Sequence, residues 1–168
     1  GNPRLLVLVN EMTPVPEWWH TKGVKVITLE SERNIPGAKS IDYIPAIVAL
    51  KAARDQDALE ALYVNRNGMV LEGTTSNLFI FSGNTLITPG KEILGGITRQ
   101  TVIGMLKERQ IKVHERHIMP EEMEGFEQCW LTGTAAEVTP VGQIGDYNFE
   151  VGAITREIAE DYEKLVSA

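Results

Sequence analysis

Hydrophobic residues recur along this chain with two different periods. Short apolar runs bounded by turn residues predict strands over residues 4–9, 24–29, 61–64, 69–71, 77–81, 85–88, 111–115 and 128–131. Asn67-Gly68 and Ser82-Gly83-Asn84 are hairpin turn sequences, so the strands between residues 61 and 88 are expected to form an antiparallel meander with Glu72 at a strand end. Helical spacing appears three times. Ile44, Ile47, Val48 and Lys51, with Ala46, Ala49, Ala52 and Ala53 as good helix formers, predict a helix beginning just after Lys39. Val102, Met105, Leu106 and Arg109 mark a second helix starting near Thr98, and Ile154, Ile158, Tyr162 and Leu165 a third at the C-terminal end. Pro120-Glu121-Glu122-Met123 suits a short helix, because proline and acids favour a helix N-terminus. Thr13-Pro14-Val15-Pro16 forbids regular structure. The mixture predicts one α+β domain over residues 1–168 with a mixed or largely antiparallel sheet.

Composition narrows the class of function more than the fold. A chain of 168 residues can bury one core, and no apolar run approaches the roughly twenty residues needed to cross a bilayer. A soluble protein is expected. The net charge is −7 and no lysine or arginine cluster occurs, which removes the attraction that drives nonspecific nucleic-acid binding and favours small-molecule partners. Cys129 is the only cysteine, so no intrachain disulfide can form, and a cytoplasmic location is the expectation. The chain opens Gly1-Asn2-Pro3 without a methionine and leads directly into a predicted strand, as though it began inside a longer protein.

Four motifs carry candidate chemistry. In order they are Lys39-Ser40-Ile41-Asp42-Tyr43, Glu72-Gly73-Thr74-Thr75-Ser76-Asn77, Gly95-Gly96-Ile97-Thr98-Arg99, and Thr132-Gly133-Thr134-Ala135-Ala136-Glu137-Val138-Thr139-Pro140. A lone lysine or glutamate is most often a solvated surface group, and two glycines before a helix are most often a turn. Glycines there also let backbone amides approach an anion, so the amides of Ile97 and Thr98 and the Thr98 hydroxyl could face a phosphate. The ordered set resembles the large domain of the class IV, fold type IV aminotransferases, a group that includes branched-chain and D-amino acid aminotransferases and aminodeoxychorismate lyase. The resemblance runs from about Asn34 to the C-terminus.

The resemblance implies a pseudo-barrel large domain like that of D-amino acid aminotransferase, with pyridoxal 5'-phosphate as cofactor. It implies that Lys39 binds the cofactor aldehyde as a Schiff-base lysine and shuttles the substrate α-proton, and that Glu72 keeps the pyridine nitrogen protonated. It further implies that Ile97, Thr98 and Thr134 bind the phosphate, that Leu94 packs against the ring, and that Thr134 and Ala135 offer backbone donors to a substrate carboxylate. Partners would be an amino acid and a 2-oxo acid, in a homodimer. An N-terminal domain that donates part of the site, including an arginine facing the phosphate, has no counterpart in the motifs of this chain.

The sequence is compatible with three functions. An aminotransferase acting on branched-chain or D-amino acids is the first. Aminodeoxychorismate lyase is the second, because Lys39-Ser40-Ile41-Asp42-Tyr43 has the spacing of the branch that contains it. A noncatalytic remnant of the fold is the third. Other candidates carry less. His20, His114 and His117 show no metal-ligand spacing. Cys129 and the Trp18-Trp19 pair read as packing residues, and Glu121, Glu122, Glu124 and Glu127 as a solvated acidic face. Arg99 is expected to pair with Glu137 and brace the two phosphate loops.

Overall fold

The computed structural model describes residues 3–11 and 14–167. In chain order the elements are α1 (Glu17–Lys22), β1 (Val24–Glu30), α2 (Ile44–Arg54), β2 (Glu60–Val64), β3 (Val70–Gly73), β4 (Asn77–Ser82), β5 (Thr85–Thr88), α3 (Ile97–Glu108), β6 (Lys112–Glu115), a 3₁₀ turn (Pro120–Gly125), β7 (Gln128–Gly133), β8 (Glu137–Ile144), β9 (Tyr147–Asn148) and α4 (Ala153–Val166). The strands form one mixed sheet in the order β3-β2-β1-β8-β7-β4-β5-β6, with β9 also on β8. The α+β class and the mixed sheet expected from the sequence are both present.

The meander is interrupted at one point. β2 and β3 pair antiparallel across Asn67-Gly68, and β4 and β5 pair antiparallel across Ser82-Gly83-Asn84, where Gly68 and Gly83 adopt positive φ. β3 and β4 share no ladder. The chain reverses at Gly73–Ser76, closed by the Gly73 amide on the Ser76 carbonyl at 2.8 Å, and β4 pairs instead with β7. The sheet therefore curls, so that the strands at the two ends of the run β3-β2-β1-β8-β7-β4 meet again at this turn. β8, which the sequence did not reveal as a strand because Pro140 and Gly142 break its pattern, bridges the halves. It runs antiparallel to β7 and parallel to β1.

Period-two alternation sends each strand's side chains to different layers. Leu78, Ile80, Cys129 and Leu131 fill the interior of the curl with Val24, Val26, Leu62 and Val141. Phe79 and Trp130, on the opposite faces of the same strands, pack under α3 and α4 with Val102, Leu106, Ile158 and Tyr162. Their rings stack with centroids 5.8 Å apart. Cys129 is a packing residue as expected, and burial pushes its thiol pKa far upward.

Some local expectations hold and others are corrected. Residues 4–9 carry no secondary structure and Leu5 to Val9 are exposed; no described strand runs beside them to satisfy their amides. In the proline segment, Pro14-Val15-Pro16 is irregular, while Thr13 lies outside the described residues. It is followed by the short helix α1, on which Trp19 packs against the core and Trp18 is half exposed. On α2 the buried face is the alanine stripe, Ala46, Ala49 and Ala53, whereas Ile44, Ile47 and Val48 are exposed. Small residues there let α2 lie close on β1 and β2 with Ala58, Ala61 and Tyr63. The expected helix after Lys39, the helix from Thr98 and the C-terminal helix are all present, the first beginning five residues beyond Lys39.

Trp130 is fully buried, so Trp130→Ala should leave a cavity under α3 and α4 that the sheet cannot collapse to fill. The expected loss is about 3–5 kcal/mol in urea unfolding. A loss under about 1 kcal/mol would contradict the packing described.

Candidate active site

The cavity between the Gly73–Asn77 turn, the start of α3, the β7–β8 turn and the loop before α2 encloses about 230 Å³. Lys39, Glu72, Leu94, Ile97, Thr98 and Thr134 all line it, from four separate segments of the sequence. Ala135 does not. It lies on a neighbouring groove with His20, Pro140 and Arg156.

Lys39 stands on the loop between β1 and α2. Asn34 Nδ2 donates to Asp42 Oδ2 at 2.7 Å and cinches that loop, while the Ala38 amide on the Ile35 carbonyl and the Ser40 amide on the Ala38 carbonyl tighten its tip. Lys39 itself is exposed on the cavity wall.

Glu72 is at the opposite extreme, only 1% exposed. A buried carboxylate needs donors, and it has three. Arg33 Nε donates to Oε1 at 2.7 Å, Asn77 Nδ2 donates to Oε2 at 2.9 Å, and the Leu94 amide reaches both oxygens at 3.0–3.1 Å. Burial pushes the Glu72 carboxyl above the ordinary carboxylate range, and the Arg33 charge, then the Leu94 amide, pull it back. Each oxygen thus accepts two contacts, with the Leu94 amide shared between them.

The glycines at α3 act as the sequence suggested. Gly96 caps the helix, and a Cβ there would collide with Asn77 Oδ1, whose amide is already held by Glu72 and the Leu94 carbonyl. No acid occupies the first turn of α3, so the positive end of its dipole is unopposed. Thr98 is buried and its hydroxyl lies 3.3 Å from Tyr162 Oη. If Tyr162 is the donor, the Thr98 proton is free to point into the cavity.

Three residues of the site escaped the sequence reading. Arg33 is one; besides Glu72 it donates to the Thr74 carbonyl at 2.9 Å, tying the Lys39 loop to the Glu72 turn. No pattern signals it. Glu60, buried on β2, accepts the Thr74 amide at 3.1 Å and hydroxyl at 2.6 Å, the Thr75 amide at 3.2 Å and hydroxyl at 3.1 Å, and the Ser76 hydroxyl at 3.2 Å. The run of three hydroxyl residues was the available hint of such an acceptor. Asn77 lay within a quoted motif, but its role depends on the fold. The expected Arg99–Glu137 pair is absent. Arg99 is buried and donates to Glu115 and the Pro89 carbonyl, both at 2.9 Å, while Glu137 is exposed at the β7–β8 turn, so the strand carrying Glu115 supplies the partner.

A profile of the amino-transferase class IV family matches residues 1–144. The chain belongs to that family. It is 33% identical over 87% of its length to a branched-chain-amino-acid aminotransferase of Pseudomonas aeruginosa, of which it covers 51%. Its fold superposes on the branched-chain aminotransferase of Thermoproteus uzoniensis, solved with norvaline, with a TM-score of 0.82 at 34% identity, covering 92% of this chain and 55% of that one. It also superposes on the branched-chain amino acid aminotransferase of Thermobaculum terrenum in its PLP form, with a TM-score of 0.78 at 31% identity, covering 85% and 50%. The curled sheet is thus the fold type IV architecture. The chain spans about half the length of the curated relatives it matches, between 51% and 60% for two of them.

Removing the Arg33 charge should expose how Glu72 is held. A carboxyl with a raised folded pKa contributes stability that is fully present below its unfolded pKa and lost as pH rises through the folded value. Arg33→Met raises that value further, so the variant should lose about 2–3 kcal/mol at pH 7.5, somewhat under the range for a wholly buried pair because Arg33 is partly exposed. At pH 5 the loss should be smaller. Urea unfolding at the two pH values measures this, and an equal loss at both would contradict the assignment.

Proposed function

We propose that this chain is the cofactor-binding part of a pyridoxal 5'-phosphate-dependent aminotransferase, moving an amino group between an amino acid and a 2-oxo acid. The observation that carries the reading is the convergence of Lys39, Glu72, the α3 N-terminus and Thr134 on one cavity. The residues fit the cofactor. A carboxylate on the cavity wall, held in place by its neighbours, suits a protonated ring nitrogen, and an acid-free helix N-terminus suits a phosphate dianion.

When bound, pyridoxal phosphate supplies an aldehyde to carry the amino group and a pyridine ring to withdraw electrons. The chain does the rest. Lys39 Nζ, once neutral, is the nucleophile for an aldehyde carbon and the base that takes and returns a proton at the substrate α-carbon. Glu72, whose charge Arg33 favours, would keep a proton on the ring nitrogen. Leu94 would pack against the ring, and the Ile97 and Thr98 amides with the Thr134 hydroxyl would hold the phosphate, which would fix the cofactor against the Lys39 amine. Thr134 and Ala135 amides orient the substrate carboxylate. Ala135 has the weaker claim, since it lies off the cavity.

The branched-chain aminotransferase relatives support a branched-chain amino acid as substrate of the whole protein. The second reading, aminodeoxychorismate lyase, is favoured by one feature, the short spacing of Lys39-Ser40-Ile41-Asp42-Tyr43. We also propose a homodimer for the whole protein, supported by the exposed apolar stripe of Ile44, Ile47 and Val48 on the helix directly behind the Lys39 loop.

In the full-length protein, borohydride reduction followed by mass spectrometry should place a pyridoxyl group on Lys39 and none in Lys39→Ala. A label on Lys51 or Lys91 would overturn the assignment. Glu72→Gln should retain the cofactor and lower kcat by roughly 10²-fold, as expected of a group that holds a proton through the reaction. Near-normal turnover in a folded variant would remove Glu72 from this role. Isoleucine, leucine or valine should convert the bound cofactor to its amine form, with a 2-oxo acid reversing the change. If no amino acid does so and aminodeoxychorismate yields pyruvate, the lyase reading replaces this one.

A further inference from the structure

Four buried side-chain atoms have no hydrogen-bond partner among the described residues: Arg99 Nε, His114 Nε2, Trp130 Nε1 and Thr132 Oγ1. Of these residues only Thr132 lines the cavity. It is 1% exposed, its hydroxyl is buried, and a buried hydroxyl without a partner opposes folding. Such a group is retained at a cost to stability.

Its position answers which part of a ligand it faces. Along β7 the side chains of Cys129 and Leu131 enter the interior of the curl, and that of Trp130 enters the layer beneath α3. By the same alternation Thr132 lies on the α3 side. It stands in register opposite Asn77 on β4, and Asn77 lies directly against Gly96 at the start of α3. The next residues along the chain, Gly133 and Thr134, begin the β7–β8 turn on the cavity wall. Thr132 therefore stands between the two segments, the α3 start and the β7–β8 turn, that converge on the cavity. Competing donors nearby are already engaged. Both amide hydrogens of Asn77 go to Glu72 and the Leu94 carbonyl, and the Thr98 hydroxyl is shared with Tyr162.

We propose that the Thr132 hydroxyl donates a hydrogen bond to the phosphate of the bound cofactor, completing a donor set whose other members are the α3 amides and Thr134. The inference rests on the cofactor reading above. A hydroxyl donor needs an acceptor; the terminal oxygens of a phosphate dianion supply several, whereas a protonated ring nitrogen is itself a donor and is matched to Glu72. Thr132 is a binding residue in this account and takes no part in proton transfer.

The test is Thr132→Val in the full-length protein, compared with wild type and with Thr132→Ser. Two quantities are measured: the urea midpoint without cofactor, and the dissociation constants for pyridoxal phosphate and for pyridoxal, which lacks the phosphate. Because valine removes an unpaired polar group at nearly constant volume, the midpoint without cofactor should stay the same or rise. Affinity for pyridoxal phosphate should fall about tenfold or more, as for a lost bond to a charged acceptor. Pyridoxal affinity should not change, and serine should restore wild-type binding. Thr132→Ala offers the same affinity comparison should valine prevent folding. Unchanged affinity for pyridoxal phosphate, or an equal loss for both compounds, would overturn the inference while leaving the cofactor reading intact. Failure of the wild-type protein to bind pyridoxal phosphate would sink the cofactor reading itself, and this inference with it.

Discussion

A carboxylate taken out of water must be met by donors, and the rest of the site follows from how the Glu72 carboxylate is met. Its three donors come from three places in the sequence: Arg33 on the loop that carries Lys39, Asn77 at the start of β4, and the Leu94 amide just before α3. Each of those segments also lines the cavity. The charge thus holds the cavity walls in register, so the lysine loop, the turn and the helix start cannot shift independently without leaving it underpaired.

A second buried acid repeats the device one layer behind. Glu60 gathers the amides and hydroxyls of Thr74 and Thr75 and the hydroxyl of Ser76, fixing the reversal between β3 and β4 where the sheet has no ladder. Side chains replace strand pairing there and occupy the turn's backbone amides. Gly73 belongs to the same arrangement. A Cβ at that position would run into Ser76 and Glu60.

The electrostatics of the cavity run against those of the whole chain. The net charge is −7, yet the cavity wall combines Arg33 and Lys39 with a single acid, Glu72, and with a helix N-terminus free of acids in its first turn. Local field, more than net charge, governs which ligand enters a concave site. The acids lie elsewhere, for example around the 3₁₀ turn, where Arg116 holds the Glu122 carboxyl below its usual pKa range and Glu121 and Glu124 are exposed.

What the sequence determined by itself is largely what local chemistry and short motifs encode. Turn residues such as Asn67-Gly68 and Ser82-Gly83-Asn84 placed hairpins correctly because their backbone requirements are local, and helical spacing placed three helices. The order of four motifs identified the family, and six of the seven site residues that the resemblance implied line one cavity. Tertiary structure decided whatever depends on a partner distant in sequence. Residues 4–9 have the composition of a strand but no described neighbour to pair with, and β8 is a strand despite Pro140 because β7 and β1 flank it. The alanines of α2, and not its isoleucines, face the sheet, since which stripe is buried depends on how closely the helix must approach. Arg33, Glu60 and the orphaned Thr132 hydroxyl were invisible for the same reason: no residue near them in the sequence says whether a buried polar group has found its partner, and only the packed fold does.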